Sequence, residues 1–565
     1  MRKTAYLTLL LSFMACYLMT SPGYIGDTTR YAREVIDHAE GREAQFWEFG
    51  HLLWRPWGFV GYLFCGHWYA QSFGDDPAQT VDRFLIQTNV VCSAAALLLL
   101  MLLLRKVVRA KVAWAAVFAM SCSAAYLNYC HSGAPYIPAL VFSIITLLLL
   151  TTAVRLPGGG HGHALLAGVS FAVACALWFP YSFTGLGMLA VLYRWPPKDS
   201  AAVAAVIDGS VCRRRLIFTF LVSVAVSAFF LFATGAAANG IRNVSQLPQW
   251  VRESDNGWSQ SATAMRAVTG LPRAVWDFGD ETVLLKRWLF RDPYNPVHVS
   301  TLMFTLGLKL AAFYLGIGAA LLILWREHRV VLFILVAGGL PLLLFSITVF
   351  EPSSPERFLP VFPFAYLAVA VVLDKASSHA IPSGLVALLL VGYTVYNLTA
   401  NSQISGDPRV AEAKLRIQAL NNNVQPEALV FVVTYTDEMI LASTTHPLDN
   451  SLARLAFRVQ DAVTIANRRT AQWRTVFAES TLAQWAQDRE VWVSERLLAN
   501  RPEARWRWVE GDDRRIHWSD LPAAFGQLDR DRRIQVGMDG FLRLAESQAN
   551  RELLTKWAAT DGEPH

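Results

Sequence analysis

Eleven apolar runs constrain this chain more than any other feature of its sequence. Each run has about the 20 residues that a helix needs to cross the hydrocarbon core of a bilayer, or slightly fewer. They cover residues 5–21, 84–104, 112–129, 135–154, 163–179, 181–195, 216–236, 301–325, 330–350, 359–374 and 380–398. The first run follows a basic start and has no small-residue cleavage site after it, so we predict an uncleaved membrane helix from Tyr6 to about Ser21.

The composition agrees with a membrane protein. Of the 565 residues, 54% are hydrophobic and 17% are charged, and the mean hydropathy is +0.31, which is too apolar for an ordinary soluble protein of this length. The formal charge of +6 comes from short basic runs between apolar segments rather than from one basic face, so we predict no nucleic-acid partner. The seven cysteines show no CxxC or His-paired spacing, so we predict neither a zinc site nor a disulfide framework.

The basic residues predict the orientation of the chain in the membrane. They cluster in every second connection between apolar runs, as the positive-inside rule requires. The clusters are Arg2-Lys3, Arg105–Lys111, Arg155, Arg194–Arg215, Arg326–Arg329 and Lys375. We therefore predict a multi-pass protein of the cytoplasmic (inner) membrane, with its amino terminus in the cytoplasm and with residues 22–83, 237–300 and 351–357 on the outer face.

The polar region after the last apolar run is predicted to fold as a separate domain. An odd number of spans leaves residues 400–565 outside the cytoplasm, after a membrane domain of residues 1–399. The stretches ALVFVVTYTDE, REVWVSERLL and RWRWV indicate buried strands, and helical stretches follow the first two. The predicted fold class is a mainly α membrane helix bundle with a small C-terminal α/β domain, which serves as a lid or docking platform.

The first outer loop carries the most informative polar residue. Asp27 comes directly after the first apolar run, so its carboxylate is predicted to lie at the membrane surface, at the mouth of a cavity between helices. Residues 28–38 have a helical pattern with Tyr31 and Val35 on one face. From His51 to Tyr69 the sequence is aromatic and apolar, which is typical of a helix that lies in the membrane interface.

These features resemble the first outer loop of the GT-C superfamily of membrane glycosyltransferases. The matching residues are Asp27, Tyr31 and the stretch HLLWRP from His51 to Pro56. Members such as the lipid A aminoarabinose transferases and the protein O-mannosyltransferases use polyprenyl-phosphate sugars. Many members have a second acid directly after the first, but this chain has Thr28 there, and a shared two-carboxylate or metal-ligating role is therefore not expected.

A second match lies near the end of the membrane domain. The stretch ERFLPVFPFAYLAV, which starts at Glu356, is similar to the segment that opens a late span in these enzymes. The order of long and short loops also resembles theirs over most of the first 375 residues. The resemblance implies a GT-C bundle that takes a sugar from a polyprenyl-phosphate donor and passes it to a lipid, glycan or protein acceptor.

The chemistry of such a donor needs cations and one base. A phosphate that leaves the anomeric carbon requires donors for its charge, and arginine binds phosphate oxygens with two parallel hydrogen bonds. The predicted phosphate ligands are Arg55, Lys286, Arg287, Arg291 and Arg357. Asp27 is predicted to be the base for the acceptor hydroxyl.

Further polar residues are predicted to orient the acceptor or the arginines. They are Tyr31, His51, His131, Glu351 and Glu356. For Glu356 and Arg357 the alternative is a surface ion pair at a helix start, and for His131 it is an exposed turn histidine. No cofactor is required, although Asp277, Asp280 and Glu281 could hold a divalent metal ion.

The predicted function is that of an inverting glycosyltransferase, specifically a hexosyl- or pentosyltransferase, that acts at the outer face. One alternative is a membrane polysaccharide polymerase or ligase, which would use a diphosphate carrier. A transporter or flippase would place ionisable groups at mid-membrane, whereas the apolar runs here are nearly free of charge. A nonenzymatic scaffold would retain its function in an Asp27→Asn variant.

Overall fold

The computed structural model describes most of the chain. The described residues are 2–20, 28–41, 46–73, 77–156, 160–195, 209–253, 264–276, 281–289, 291, 296–348, 354–379, 383–406, 408–425, 427–433, 458–462, 465, 472–502, 517–537 and 539–559. The chain divides into two compact units. The first comprises Met1–Asp277 and Leu310–Ser402, and the second comprises Phe278–Lys309 and Gln403–His565.

Helices account for nearly all of the regular structure in the first unit. Over both units, the helices in the described residues are, in chain order, α1 Arg2–Met19, α2 Thr28–Ala39, α3 Trp54–Phe73, α4 Pro77–Leu104, α5 Ala110–Ser121, α6 Ala124–Cys130, α7 Tyr136–Ala153, α8 His161–Leu177, α9 Gly185–Arg194, α10 Gly209–Ala238, α11 Leu247–Glu253, α12 Ala264–Val275, α13 Glu281–Leu289, α14 Val299–Leu302, α15 Leu308–Glu327, α16 Arg329–Thr348, α17 Phe362–His379, α18 Ser383–Gly406, α19 Pro408–Asn423, α20 Trp473–Trp485, α21 Asp520–Phe525 and α22 Gln548–Ala559. Short 3₁₀ turns lie at Phe49–His51, Phe179–Thr184, Val244–Gln246, Pro355–Val361 and Glu495–Leu498, and a π-helical turn at Met303–Gly307 joins α14 to α15.

Six helical segments among the described residues are long and apolar enough to cross a membrane, and a bent pair can make a seventh. The six are Pro77–Leu104, Tyr136–Ala153, Val211–Ala238, Val299–Glu327, Arg329–Thr348 and Pro355–Ala376. The chain is therefore a multi-pass membrane protein. The predicted count of eleven spans is not confirmed, because several apolar runs form shorter or broken helices.

Breaks in the backbone explain why some apolar runs form helices that are too short to count as full spans. Helices α5 and α6 form the bent pair, with an angle of 65° between them, and two residues, Cys122 and Ser123, separate them. Between α8 and α9 the chain makes the 3₁₀ turn Phe179–Thr184, where Pro180 removes a backbone donor. Each break ends a continuous helix before it reaches the length of a full span.

Small residues let the helices of the first unit approach one another closely. A Cβ atom built on Gly187 of α9 would lie 2.5 Å from the Cα atom of Gly338 in α16. A Cβ atom on Gly168 of α8 would lie 2.5 Å from the Cβ atom of Ser223 in α10. Such contacts are typical of membrane helices, whose association depends on close packing rather than on apolar burial.

The second unit contains a mixed sheet of five strands. The strands are β1 Leu429–Val432, β2 Arg458–Asp461, β3 Val491–Ser494, β4 Arg530–Val536 and β5 Asp539–Leu544, in the order β2-β1-β3-β5-β4. Strand β1 pairs in parallel with β2 and β3, whereas β5 is antiparallel to β3 and β4. This confirms a small C-terminal α/β fold and the strands predicted in ALVFVVTYTDE and REVWVSERLL, while RWRWV lies outside the described residues.

Candidate functional site

One turn between α6 and α7 binds the residues on both sides of the segment that contains Asp27. Before this segment, the Thr20 hydroxyl lies 2.9 Å from Nε2 of His131. After it, the Thr28 hydroxyl accepts a hydrogen bond from the backbone N–H of Gly133 at 2.8 Å. Asp27 itself lies outside the described residues, so its role as the base stays a prediction.

The same turn is held from two further elements. Trp54 of α3 donates its indole N–H to the carbonyl of Gly133 at 2.7 Å. Asn89 of α4 donates to the carbonyl of Ala134 at 2.7 Å, and also to that of Ser132. A Cβ atom at position 133 would overlap the Thr28 side chain and lie 2.9 Å from Cβ of Leu85, so glycine is needed there for close packing.

His131 is a buried part of this turn rather than an exposed turn residue. Its side chain is buried, and its ring stacks on Tyr17 with the ring centroids 4.2 Å apart. The alternative of an exposed turn histidine is therefore wrong. An acceptor-binding role for His131 stays a prediction.

Helix α2, which begins at Thr28 beside this turn, carries charged residues. Tyr31 and Val35 are fully buried on one face, as the sequence pattern predicts. Arg30 and Glu34 form an ion pair one turn apart, with Nε of Arg30 2.8 Å from a Glu34 carboxylate oxygen. The other carboxylate oxygen of Glu34 accepts a hydrogen bond from Nε of Arg55.

Arg55 is fully buried between two carboxylates. Besides Glu34, it contacts Glu48, whose Oε2 lies 2.6 Å from Nη2 of Arg55, and its guanidinium lies 4.8 Å from the centroid of the Tyr31 ring. The Nη1 atom has no hydrogen-bond partner among the described residues. A charge of this kind is tolerated in an apolar interior only because it is paired.

Glu48 also contacts His51, which lies in the 3₁₀ turn before α3. Nδ1 of His51 lies 3.3 Å from Oε2 of Glu48, and Nε2 lies 3.5 Å from the Tyr31 hydroxyl. Burial raises the pKa of Glu48, but His51 and Arg55 more than offset it, and the pKa is lowered below its ordinary value. Glu48 is therefore a carboxylate ion, and it contacts both the imidazole of His51 and the guanidinium of Arg55.

Aromatic rings connect this charged cluster to the stretch ERFLP. The Tyr136 ring lies 6.5 Å from His51, 5.0 Å from Tyr129 and 4.4 Å from Trp178, measured between ring centroids. Tyr129 in turn donates its hydroxyl hydrogen bond to Oε2 of Glu356. All of these aromatic side chains are buried.

Glu356 and Arg357 lie in the 3₁₀ turn that precedes α17. Glu356 is 4% exposed and Arg357 is 9% exposed, which excludes the alternative of a surface ion pair. Nε of Arg357 lies 3.5 Å from Oε1 of Glu356. A buried arginine at the end of a membrane span is positioned to meet an anion, and a carboxylate beside it can orient it.

The remaining predicted site residues lie elsewhere or outside the described residues. Lys286, Arg287 and Arg291 belong to the second unit, where the Arg287 side chain is buried and that of Arg291 is exposed. Glu351, Asp277 and Asp280 lie outside the described residues. Among the residues that the structure describes, no group of three or more His, Cys, Asp or Glu side chains could hold a metal ion.

No protein-family model matches the sequence, and no curated protein matches it. The structure, however, is similar to that of ArnT from Cupriavidus metallidurans in the apo state, with a TM-score of 0.51, 13% identity, and coverage of 98% of this chain and 99% of ArnT. The chain has the GT-C fold.

Two further solved structures are also similar. For ArnT bound to undecaprenyl phosphate the TM-score is 0.50 at 13% identity, with 97% of this chain and 98% of that chain covered. For the archaeal oligosaccharyltransferase AglB from Archaeoglobus fulgidus, in complex with an inhibitory peptide and a dolichol-phosphate, the TM-score is 0.46 at 12% identity, with 97% and 75% covered. The similarity to the two ArnT structures confirms, at the level of the fold, the GT-C resemblance predicted from the loop order and the two motifs.

Sequence reasoning missed five residues of this site. They are Glu34, Glu48, Trp54, Asn89 and Tyr129. Glu34 and Glu48 precede the HLLWRP motif and look like solvated charges in a polar loop, while Asn89 and Tyr129 lie inside apolar runs. An isolated polar side chain within an apolar run is the one signal that could have indicated Asn89.

Proposed function

We propose that the protein is a glycosyltransferase that moves a sugar from a polyprenyl-phosphate carrier to an acceptor on the outer face of the cytoplasmic membrane. The GT-C fold supports this class, and ArnT, which has the same fold, binds undecaprenyl phosphate. The sugar is a hexose or pentose, and the acceptor is a lipid, a glycan or a protein.

The observation that carries the proposal is the meeting of two segments far apart in the chain. Thr20 and Thr28, which lie on either side of residues 21–27, are bonded to the turn at His131–Gly133. Glu356 beside Arg357 is bonded to Tyr129, which lies in the helix just before that turn. These are the two segments in which the sequence resembles GT-C enzymes. Their meeting supports one site that combines the base on the first loop with the arginine of the second segment.

The proposed reaction is an in-line displacement at the anomeric carbon. The acceptor oxygen forms a bond to this carbon while the bond to the phosphate oxygen breaks, so that the configuration inverts. Asp27 accepts the proton of the acceptor hydroxyl, and polyprenyl phosphate leaves with its charge bound by Arg357. Glu356 orients Arg357, and Tyr129 orients Glu356.

Arg55 receives a different role from the phosphate ligand that its sequence predicts. The Arg55 side chain is fully buried and contacts both carboxylates, so we propose that it positions Glu34 of α2 and Glu48, which precedes α3. Tyr31 and His51 complete this support, and His131 supports the loop from the other side. Lys286, Arg287, Arg291 and Glu351 stay candidates for binding the donor or the acceptor.

The experiment that tests the proposal is release of free polyprenyl phosphate by the purified protein. A panel of polyprenyl-phosphate sugars is incubated in detergent with an envelope fraction as the source of acceptor. We expect release with one sugar and its loss in Asp27→Asn. The matched control is Asp374→Asn, which removes a carboxylate that pairs with Arg109 in an exposed contact, and this variant retains release.

Other outcomes separate the alternatives. Release that persists in Asp27→Asn removes Asp27 as the base. Release only from diphosphate-linked glycans assigns the protein to the polymerases or ligases. No release from any donor, together with movement of a lipid-linked sugar across vesicle membranes, assigns it to the transporters or flippases.

A further inference from the structure

A groove with a volume of about 370 Å³ lies between helices α8 and α10. Six residues line it, and they combine positive charge with apolar surface: His161, Val211, Arg214, Arg215, Phe218 and Thr219. None of the six is acidic. The groove belongs to the first unit but contains none of the residues of the candidate site.

Two arginines in the groove have exposed side chains that pair with no other residue in the described part of the chain. Arg214 and Arg215 are exposed, and among the described residues neither side chain forms a hydrogen bond or an ion pair. Their neighbour Arg213 behaves differently, since it donates hydrogen bonds to the backbone carbonyls of Tyr193 and Trp195. Arg213 therefore has a structural partner, whereas the two groove arginines are available for an anion.

The opposite wall of the groove is polar and ordered. Nδ1 of His161 lies 2.9 Å from the Thr219 hydroxyl, which donates to the backbone carbonyl of Arg215 at 2.9 Å. The Thr219 hydroxyl therefore accepts from His161, and the tautomer with a proton on Nδ1 is selected.

The side of the groove toward the middle of the membrane is apolar. Phe218 is 70% exposed, and Leu165 on α8 and Leu221 on α10 are also exposed. Both helices are apolar, and Val211–Ala238 is long enough to cross a membrane. A ligand with a charged head and an apolar tail matches this arrangement, because the arginines meet the head and the exposed side chains meet the tail.

The groove and the candidate site lie at opposite ends of α10. Gly235, near the end of α10, contacts the side chain of Leu52, which follows His51 in the chain. Arg214 lies about 30 Å away from Gly235 along the helix, at 1.5 Å per residue, which is about the thickness of the hydrocarbon core. The groove therefore faces the leaflet opposite to the one that would present the sugar donor.

We propose that this groove is a binding site for the headgroup of an anionic phospholipid. Arg214 and Arg215 bind the phosphate oxygens, and the acyl chains lie along Phe218 and its apolar neighbours. The lipid ties α8 to α10 at the membrane surface. This site is independent of the proposed transferase activity.

The test is lipid binding to the purified full-length protein, measured by native mass spectrometry in detergent. The probes are phosphatidylglycerol and phosphatidylcholine with the same acyl chains. We expect phosphatidylglycerol to bind about tenfold more tightly than phosphatidylcholine, and we expect high salt to reduce this preference. Equal binding of the two lipids to the wild-type protein would by itself overturn the proposal.

Two double variants locate the site. R214Q/R215Q removes both groove arginines and is expected to abolish the preference for phosphatidylglycerol. R326Q/R329Q removes two exposed arginines at the ends of α15 and α16, outside the groove, and is expected to retain it. An unchanged preference in R214Q/R215Q overturns the proposal, and so does displacement of the lipid by inorganic phosphate at millimolar concentration. If the double variant does not fold, Arg215→Gln replaces it.

Discussion

Arg55 and Glu48 are ionised side chains that the structure keeps almost entirely out of contact with solvent. Arg55 is 0% exposed and Glu48 is 4% exposed. Removing one partner from such a pair is much more costly than losing a surface ion pair, because the remaining charge stays buried. Glu34, His51 and Tyr31 contact the pair. Loss of the pair therefore also disturbs the contacts of helix α2 and of the turn that contains His51.

Glu48→Gln is expected to destabilise the first unit by about 3 kcal/mol, the lower end of the range for a broken buried pair, because Glu34 still contacts Arg55. The measurement is the thermal unfolding midpoint in detergent. The control is Glu327→Gln, which removes the partner of Lys375 at the surface and is expected to cost less than about 1 kcal/mol. Equal effects of the two substitutions would contradict the structural role of Glu48.

The pH dependence of stability follows from the same carboxylate. The pKa of Glu48 in the folded protein lies below its ordinary value of 4.5, so its contribution to stability is present above about pH 4.5 and is lost as the pH falls below that value. We expect the unfolding midpoint of the wild type to fall between about pH 5 and about pH 3 by more than that of Glu48→Gln. A parallel fall in both proteins would exclude Glu48 as the titrating group.

Arg357 is the arginine that the proposed reaction depends on most. Arg357→Gln is expected to reduce the turnover number about 100- to 1000-fold, as the loss of one donor to a developing negative charge does in other enzymes. Arg357→Lys retains the charge but not the two parallel donors, so its turnover number is expected to lie between those of the wild type and Arg357→Gln. The measurement is polyprenyl phosphate release at saturating donor, with Arg326→Gln as the control that keeps full activity.

At the scale of elements, the turn between α6 and α7 organises the first unit around the candidate site. It is bonded to the end of α1, the start of α2, the start of α3 and the middle of α4. Four helices therefore depend on the geometry of three residues. This explains why a glycine at position 133 is important although it takes no part in the chemistry.

Gly133→Ala is expected to destabilise the protein by about 1–3 kcal/mol, because its methyl group overlaps Thr28. It also displaces the residue next to Asp27, so polyprenyl phosphate release is expected to fall. The control is Gly318→Ala in α15, where a Cβ atom has nothing within 4 Å and alanine favours the helix. Unchanged stability and release in Gly133→Ala would show that Thr28 can move without affecting the site.

At the scale of the whole molecule, the two units are stabilised by different means. The first unit packs apolar helices through small residues, whereas the second has a sheet with partly buried ion pairs. In the second unit Asp539 accepts from Nε of Arg496 at 2.7 Å and also pairs with Arg416, which donates to the Ser494 hydroxyl at 2.9 Å. This cluster joins α19 to strands β3 and β5.

Asp539→Asn is expected to weaken the second unit alone. Hydrogen exchange of the amides in β3 and β5 should become at least about tenfold faster, equivalent to about 1.4 kcal/mol, while the spans of the first unit exchange as in the wild type. Asp531→Asn, which removes an exposed partner of Arg543 in the same sheet, serves as the control. Faster exchange in both units would indicate that they unfold together.

Apolar length, charge asymmetry and short motifs determine much of this protein from its sequence. A backbone in lipid must satisfy its own hydrogen bonds, so long apolar runs can only become helices. The strand patterns in the C-terminal region follow from burial in the same way. For this reason the helical membrane fold, the C-terminal α/β fold and the GT-C resemblance were all predictable without coordinates.

Only the tertiary structure decided which polar residues meet. It brought Glu356 to Tyr129, bound Thr28 to Gly133, and enclosed Arg55 between Glu34 and Glu48. It also divided the predicted span 112–129 into two helices at Cys122 and Ser123. The physical reason is that hydropathy is a property of local sequence, whereas pairing of buried charges depends on which helices pack together and at what distance.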